Sequence, residues 1–184
     1  MLTDSDDKAT RPATQPTTDI LEEYKTADGQ IDWTIGGKFV LNTPRTQAVV
    51  GFARSQTVAM QDVTIIMQNP FAQVIVTSLS NDPLATAPRM LICATARAEN
   101  TNEQFRPFRR GLVKLGTTPI LLEPVSATIT IKPHETKKPT VYVLDWYGRR
   151  SNQTLAVQPN PDGGWTFSLG DRPAGWFEVA FGEN

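Results

Sequence analysis

Residues 28–52 constrain the fold most, because they read as three short strands joined by tight turns. Short runs rich in β-branched residues then continue to residue 181, with turn signals between them. Residues 127–132 (ATITIK) alternate threonine and isoleucine with the period of two that a half-buried strand needs. No window of 12 residues shows a convincing helical period of 3.6 with caps. The pattern predicts roughly a dozen strands, at spacings typical of a sandwich or a barrel.

The later strands are predicted in the same way, from runs of apolar and β-branched residues separated by proline and glycine. The 14 prolines and 12 glycines lie mainly between the apolar runs, where turns require them. Residues 160–164 (NPDGG) are a strong turn signal between the runs 153–157 and 164–169. The remaining predicted strands cover residues 57–67, 73–79, 89–98, 111–115, 120–125, 127–132, 140–145 and 175–181.

The chain divides into a tail and one domain. Residues 1–18 are polar and proline-containing and cannot bury enough apolar surface to offset their ordering entropy, which predicts a disordered or extended tail or linker. Thr18 or Asp19 is positioned to cap a single helical turn over residues 20–24. We expect residues 19–184 to form a single antiparallel β-sandwich, of a jelly-roll-like kind.

Composition excludes several classes of function. The formal net charge of −1 gives no long-range field for nucleic acid or an anionic membrane. No run of about 18 apolar residues is present, and the acidic N-terminus does not resemble a signal peptide. Cys93 is the only cysteine, so it cannot form an internal disulfide, and its apolar neighbours favour a core position. We expect Arg106, Arg109 and Arg110 to be solvated or paired with carboxylates.

No motif for a metal or a cofactor appears. His134 is the only histidine, so a structural zinc site is excluded by the number of ligands, and its polar context predicts an exposed loop. Asp4, Asp6 and Asp7 lack the glycine and the distal glutamate of a calcium loop, and we interpret them as part of the tail. Phosphate-binding glycine loops and nucleophile elbows are absent. The sequence therefore predicts neither metal nor cofactor.

Paired carboxylates are the remaining route to catalysis. Glu123 and Asp145 lie in apolar surroundings, and Glu178 is a third candidate. Glycoside hydrolysis needs two carboxylates, one of them with a raised pKa. Alternatively, each ends a strand and accepts hydrogen bonds from arginine or backbone N–H groups. We favour that structural role and treat Glu123 and Asp145 as weak catalytic candidates.

Aromatic residues suggest a binding surface. Sugar rings stack on flat aromatic faces, and arginine or carboxylate side chains meet their hydroxyls. Trp146 and Tyr147 precede a turn that contains Arg149, and Trp165 follows two glycines in a hairpin. Trp146, Tyr147, Arg149 and Trp165 are therefore the candidate ligand residues. Trp33 and Trp176 lie in or beside strands, where we expect them to pack in the core or cover an edge.

Several short motifs resemble the C-terminal β-sandwich of large bacterial glycoside hydrolases of the cellulase-like, TIM-barrel type. They occur in the expected order and together cover most of residues 28–181. The matching pieces are residues 29–33 (GQIDW), 39–48 (FVLNTPRTQA), 51–52 (GF), 97–101 (RAENT), 119–125 (PILLEPV) and 144–148 (LDWYG).

The resemblance implies a non-catalytic accessory module, acting in carbohydrate binding or in structural support. In such enzymes the barrel supplies the catalytic carboxylates, and a barrel of about 250 residues is absent from this chain. The implied partners are a polysaccharide or oligosaccharide and a catalytic barrel domain in a longer protein, secreted or periplasmic, with the module itself a monomer. The alternatives are a small glycan-active hydrolase that uses Glu123 and Asp145, and a module that docks a partner protein through an apolar face.

Overall fold

The computed structural model describes residues 23–132, 137–171 and 174–182, and within them it is all-β. The predicted tail, most of the predicted helical turn, His134 and the acidic run at Asp4 lie outside the described residues. No helix in the described ranges is long and apolar enough to cross a membrane. The strands are β1 (Glu23–Lys25), β2 (Ile31–Thr34), β3 (Lys38–Asn42), β4 (Thr46–Gly51), β5 (Thr57–Ala59), β6 (Val63–Met67), β7 (Ala72–Ser78), β8 (Arg89–Thr95), β9 (Ala98–Thr101), β10 (Gln104–Phe105), β11 (Leu112–Lys114), β12 (Thr117–Leu122), β13 (Ala127–Ile131), β14 (Thr140–Leu144), β15 (Arg150–Leu155), β16 (Gln158–Pro159), β17 (Trp165–Leu169) and β18 (Trp176–Ala180).

Two large antiparallel sheets form the body of the protein. The first has nine strands in the order β1-β2-β3-β4-β7-β8-β18-β14-β15, and the second has five in the order β16-β17-β13-β6-β5. Every pairing between these strands is antiparallel. The prediction of an all-β fold with antiparallel sheets is confirmed, and the arrangement is that of a β-sandwich.

One hydrophobic core lies between the two sheets. Buried residues alternate along the strands, as in β7 and β8 of the nine-stranded sheet and β6 and β13 of the five-stranded sheet. Side chains from both sheets belong to the same buried cluster, including Val74, Ile92 and Phe177 from one and Ile65 and Ile129 from the other. The period of two seen in the sequence therefore buries one face of each sheet.

A buried glutamine links the two sheets. Gln47 lies on the inner side of β4 and is fully buried. Its Nε2 donates to Asp62 Oδ2 at 2.8 Å, and its Oε1 accepts from the backbone N–H groups of Asp62 at 3.1 Å and Val63 at 2.9 Å. Because Val63 begins β6, this amide ties β4 of one sheet to the start of a strand in the other.

The outer side of the nine-stranded sheet is also apolar. Direct cross-strand partners form a row of six residues that alternate with the core residues and so point away from it: Ile31, Leu41, Ala48, Ile75, Cys93 and Trp176. Beside it runs a second row of four: Tyr24, Trp33, Phe39 and Val50. We call these ten residues the outer face. Most of them are partly exposed, and Trp33 retains 47% of its accessible surface.

A long arm leaves the body after β8. Strands β9 and β12 pair with each other, and β10 pairs with β11 beyond them, so that residues 98–122 form two successive two-stranded sheets. A short 3-10 turn (Pro107–Arg109) lies at the far end. None of residues 97–124, all of which are described, is buried. The arm therefore has no core of its own.

The structure corrects several sequence predictions. The described residues contain 18 strands instead of about a dozen, because the run 57–67 is two strands and because β1, β9, β10 and β16 are too short or too polar to be recognised. Glu23 and Tyr24 belong to β1, where pairing with β2 outweighs the helix signal. The turn at Asn160 joins β16 to β17, and a side chain at Gly164 (φ +90°) would place its Cβ 2.2 Å from Ile131 O. Cys93 lies on the outer face and not in the core, and Trp33 lies on the outer face next to the edge strand β1.

Candidate functional site

An aromatic turn (Asp145–Arg149) connects β14 to β15. Asp145 Oδ1 accepts hydrogen bonds from the backbone N–H groups of Tyr147 at 2.8 Å and Arg149 at 2.9 Å. Gly148 supplies the positive φ that closes the turn. These bonds, the one from Arg149 first, lower the pKa of Asp145 below its usual value, with the Arg149 guanidinium adding to the effect. Asp145 thus fixes the turn as an ionised acceptor.

The turn presents two exposed rings. Trp146 retains 65% of its accessible surface and Tyr147 retains 81%. The Arg149 guanidinium lies 4.8 Å from the centroid of the Tyr147 ring, and Trp146 meets Trp176 edge to face with ring centroids 6.2 Å apart. The edge-to-face contact with Trp176 therefore restrains the Trp146 ring and leaves much of its surface open to solvent.

An open groove of about 550 Å³ lies beside Trp146. We define the groove by its lining residues, which include the apolar Leu91, Leu144 and Trp176 and the charged Arg89 and Glu178, with Leu91 directly opposite Glu178 in the pairing of β8 and β18. Its size falls within the range of ordinary small-molecule sites. A floor of interspersed apolar and charged side chains beside the Trp146 ring can receive a ring-shaped polar molecule.

Glu178 is the most perturbed carboxylate of the described chain. Its side chain is 5% exposed and pairs with both Arg89 and Arg150. Arg150 donates from Nε at 2.7 Å and from Nη2 at 2.9 Å, and Arg89 donates from Nε. The hydrogen bonds from Arg150, followed by those from Arg89, lower the pKa of Glu178 to about 2 even though burial opposes the shift. Glu178 is therefore an ionised anchor for two arginines.

The two weak catalytic candidates have structural partners and do not share a pocket. Glu123 accepts from Asn69 Nδ2 at 3.1 Å and lies 3.6 Å from Arg97 Nε. It lines a smaller apolar pocket of about 220 Å³ that Trp146 also borders, whereas Asp145 does not line that pocket. A general acid needs a raised pKa, and the pKa of Asp145 is lowered. The arrangement is the one expected of carboxylates that stabilise loops and turns.

Trp165 lies apart from the aromatic turn. It begins β17 in the five-stranded sheet and packs, partly buried, against the core cluster. Its pairing with Ile131 and Pro159 explains why the preceding glycines do not expose it. The structure thus brings Trp146, Tyr147 and Arg149 together and leaves Trp165 on the other sheet. Trp165 is thus partly buried, and its role in ligand binding stays a prediction.

Sequence reasoning missed Arg89, the outer face and the exposed arm. Arg89 is remote from Trp146 in sequence and reaches the groove because β8 pairs with β18, which pairs with β14. The outer face has a visible signal, since β3, β4, β7 and β8 carry apolar residues at both odd and even positions. Strands with one solvated face alternate apolar and polar residues, whereas strands covered on both faces do not.

No group of three or more histidine, cysteine, aspartate or glutamate side chains that could hold a metal occurs within the described residues. Comparisons of the chain with protein-family models, with curated proteins and with solved structures find no match.

Proposed function

We propose that this chain is a non-catalytic accessory module of a carbohydrate-active enzyme and that it binds saccharide at the aromatic turn. The observation that carries the proposal is the pair of exposed rings, Trp146 and Tyr147, on a rigid turn beside an open groove. Pyranose rings carry C–H groups on their faces that meet the negative face of an aromatic ring. The hydroxyl groups of the sugar find donors and acceptors in Arg89, Arg149 and Glu178.

Rigidity of the turn supports this assignment. The hydrogen bonds that Asp145 accepts from the turn's backbone and the contact between Trp146 and Trp176 fix the platform before any ligand arrives. A pre-organised site loses less conformational entropy on binding than a mobile one. The motif resemblance, which includes the aromatic turn itself, points to the same setting of a glycoside hydrolase.

Affinity electrophoresis through gels that contain plant and algal polysaccharides tests the proposal. We expect retardation by at least one polysaccharide, and we expect Trp146→Ala to weaken it about tenfold, equivalent to about 1.4 kcal/mol. Trp33→Ala is the matched control, because Trp33 is also exposed but lies six strands away in the same sheet. Absence of retardation across the panel, or an equal loss in both variants, would argue against saccharide binding at this turn.

Docking to a partner domain is the second candidate, favoured by the apolar outer face and the arm. A two-stranded hairpin is marginally stable alone in water, yet this arm exposes seven large apolar side chains. They are Phe108, Leu112, Val113, Leu115, Ile120, Leu121 and Leu122. We propose as occupant the catalytic barrel of a longer chain. Because β1 is an edge strand of the nine-stranded sheet, a domain that precedes it in the chain is tethered beside the outer face.

Sedimentation velocity across a wide range of protein concentrations tests this second role. An uncovered apolar surface of this extent should cause reversible self-association of the isolated chain, which Leu115→Ser and Val113→Ser together should reduce. Both residues are exposed, so we expect the free energy of unfolding to change by no more than about 0.5 kcal/mol per substitution. A chain that stays monomeric at high concentration would count against docking.

A further inference from the structure

Arg89 is the cationic residue that lines the groove, and several of its N–H donors have no partner among the described residues. Arg89 begins β8 and its side chain is half-exposed. Its Nε is bonded to Glu178, while in the described part of the chain no partner bonds its two Nη groups. A guanidinium carries five N–H donors, so most of those on Arg89 remain available to a ligand.

Glu178 does not take up the remaining donors of Arg89. Its two oxygens already accept hydrogen bonds from Arg89 Nε and from Arg150. Glu178 is the only acidic residue among the described residues that line the groove. Asp145 balances Arg149 on the neighbouring turn, at 3.4 Å, and lies outside the lining. The groove therefore offers the unused N–H donors of Arg89 without a second carboxylate of its own.

We propose that the groove selects an anionic saccharide and that Arg89 binds its carboxylate or sulfate group. This inference rests on the proposed function, because it assigns the ligand class of the same site. The sugar ring lies against Trp146 and the apolar side chains of Leu91 and Leu144. The acidic substituent reaches the free Nη groups of Arg89, whose fork matches two oxygens of one anionic group.

Apolar walls strengthen this selection. Leucine and tryptophan side chains border the groove, and a ligand that displaces water from it interacts with the half-exposed Arg89 more strongly than it would in bulk water. A neutral saccharide in the same position would displace water from Arg89 without giving it an ionic partner, and that desolvation weakens binding. We therefore expect discrimination in favour of acidic polymers, decreasing as salt is added.

Two pairs of polysaccharides that differ only in charge test the proposal on the whole chain. Polygalacturonate is compared with its methyl-esterified form, and carrageenan is compared with its desulfated form, by affinity electrophoresis at low and high salt. We expect at least one acidic polymer to bind about tenfold more tightly than its neutral counterpart at low salt. Preference for polygalacturonate assigns the carboxylate, and preference for carrageenan assigns the sulfate.

Arg89→Gln should abolish that preference, because it should weaken binding to the acidic polymer much more than binding to its neutral counterpart. Arg54→Gln removes the same charge from an exposed loop away from the groove and should change nothing. Arg89→Lys keeps the charge but not the fork, so it should retain the preference with a several-fold weaker affinity. The lysine variant also decides the question if the glutamine variant does not fold.

Three results would overturn the inference. If the wild-type chain binds acidic and neutral polymers equally, the groove does not select for charge, although saccharide binding itself stands. If Arg89→Gln weakens both kinds of polymer equally, Arg89 acts only by positioning Glu178. If no polymer of either kind binds, the saccharide role itself fails.

Discussion

The two faces of the nine-stranded sheet are built from the same strands but have different surroundings. Ile92 points inward from β8 and is fully buried, whereas Leu91, the residue before it, points outward and is partly exposed. Both faces carry apolar side chains, but among the described residues only the inner face has a second sheet opposite it. An apolar residue in a strand therefore shows that its face can be buried. Whether the residue is buried depends on the layer that packs against that face.

The largest expected change in stability tests the difference between the two faces within one strand, β8. Ile92→Ala removes fully buried methyl groups and leaves a cavity, so we expect it to lower the free energy of unfolding by about 2–5 kcal/mol. Leu91→Ala, one residue away on the outer side of the same strand, should cost less than half as much. Urea denaturation of both variants measures the difference. Equal losses would mean that the outer side of this strand is covered in solution.

The second prediction concerns Glu178 and its two arginine partners, Arg89 and Arg150, on the outer side of the nine-stranded sheet. The pKa of Glu178 is about 2 in the folded chain against a usual value of 4.5, so its stabilisation is complete above pH 4.5 and declines as the pH falls towards 2. The difference corresponds to roughly 3 kcal/mol. Denaturation midpoints between pH 2 and 7 measure this dependence. Glu178→Gln should flatten the acid limb, and Glu23→Gln, at an exposed ion pair, should leave it unchanged.

A third, smaller effect compares one residue type on the two faces. Gln47→Leu leaves Asp62 and two backbone N–H groups without their buried partner, which we expect to cost about 2 kcal/mol. Gln73 lies on the outer side of β7 and bonds only the hydroxyl of Thr95, so Gln73→Leu should cost about 1 kcal/mol or less. Thermal unfolding of the two variants side by side checks the order. A reversed order would show that the Gln47 amide does not link the sheets.

Local signals were sufficient for much of the fold. The strict alternation in residues 127–132 predicts β13, and the three strands of residues 28–52 appear as β2, β3 and β4. These predictions succeed because strand period and turn chemistry are properties of a few adjacent residues. Strands β9, β10 and β16 were missed because they are held by pairing partners, with little apolar signal of their own.

The candidate site was predictable only in part. Trp146, Tyr147 and Arg149 are close in sequence and share one turn, so their proximity follows from the local pattern. Trp165 has a similar local context but packs against the core, because β17 is paired on both sides by β13 and β16. The position of a glycine-flanked tryptophan relative to solvent therefore depends on the sheet that receives it.

By itself, the sequence determined the all-β class, the positions of most strands and the aromatic turn, since each depends on neighbouring residues. Only the tertiary structure decided that Arg89, Glu178 and Trp146 border one groove, because sheet pairing brings two strands and the turn after a third together there. It also decided that one apolar face of the large sheet is buried and the other is open. Burial requires two surfaces in contact, and the sequence of one strand determines only one of those surfaces.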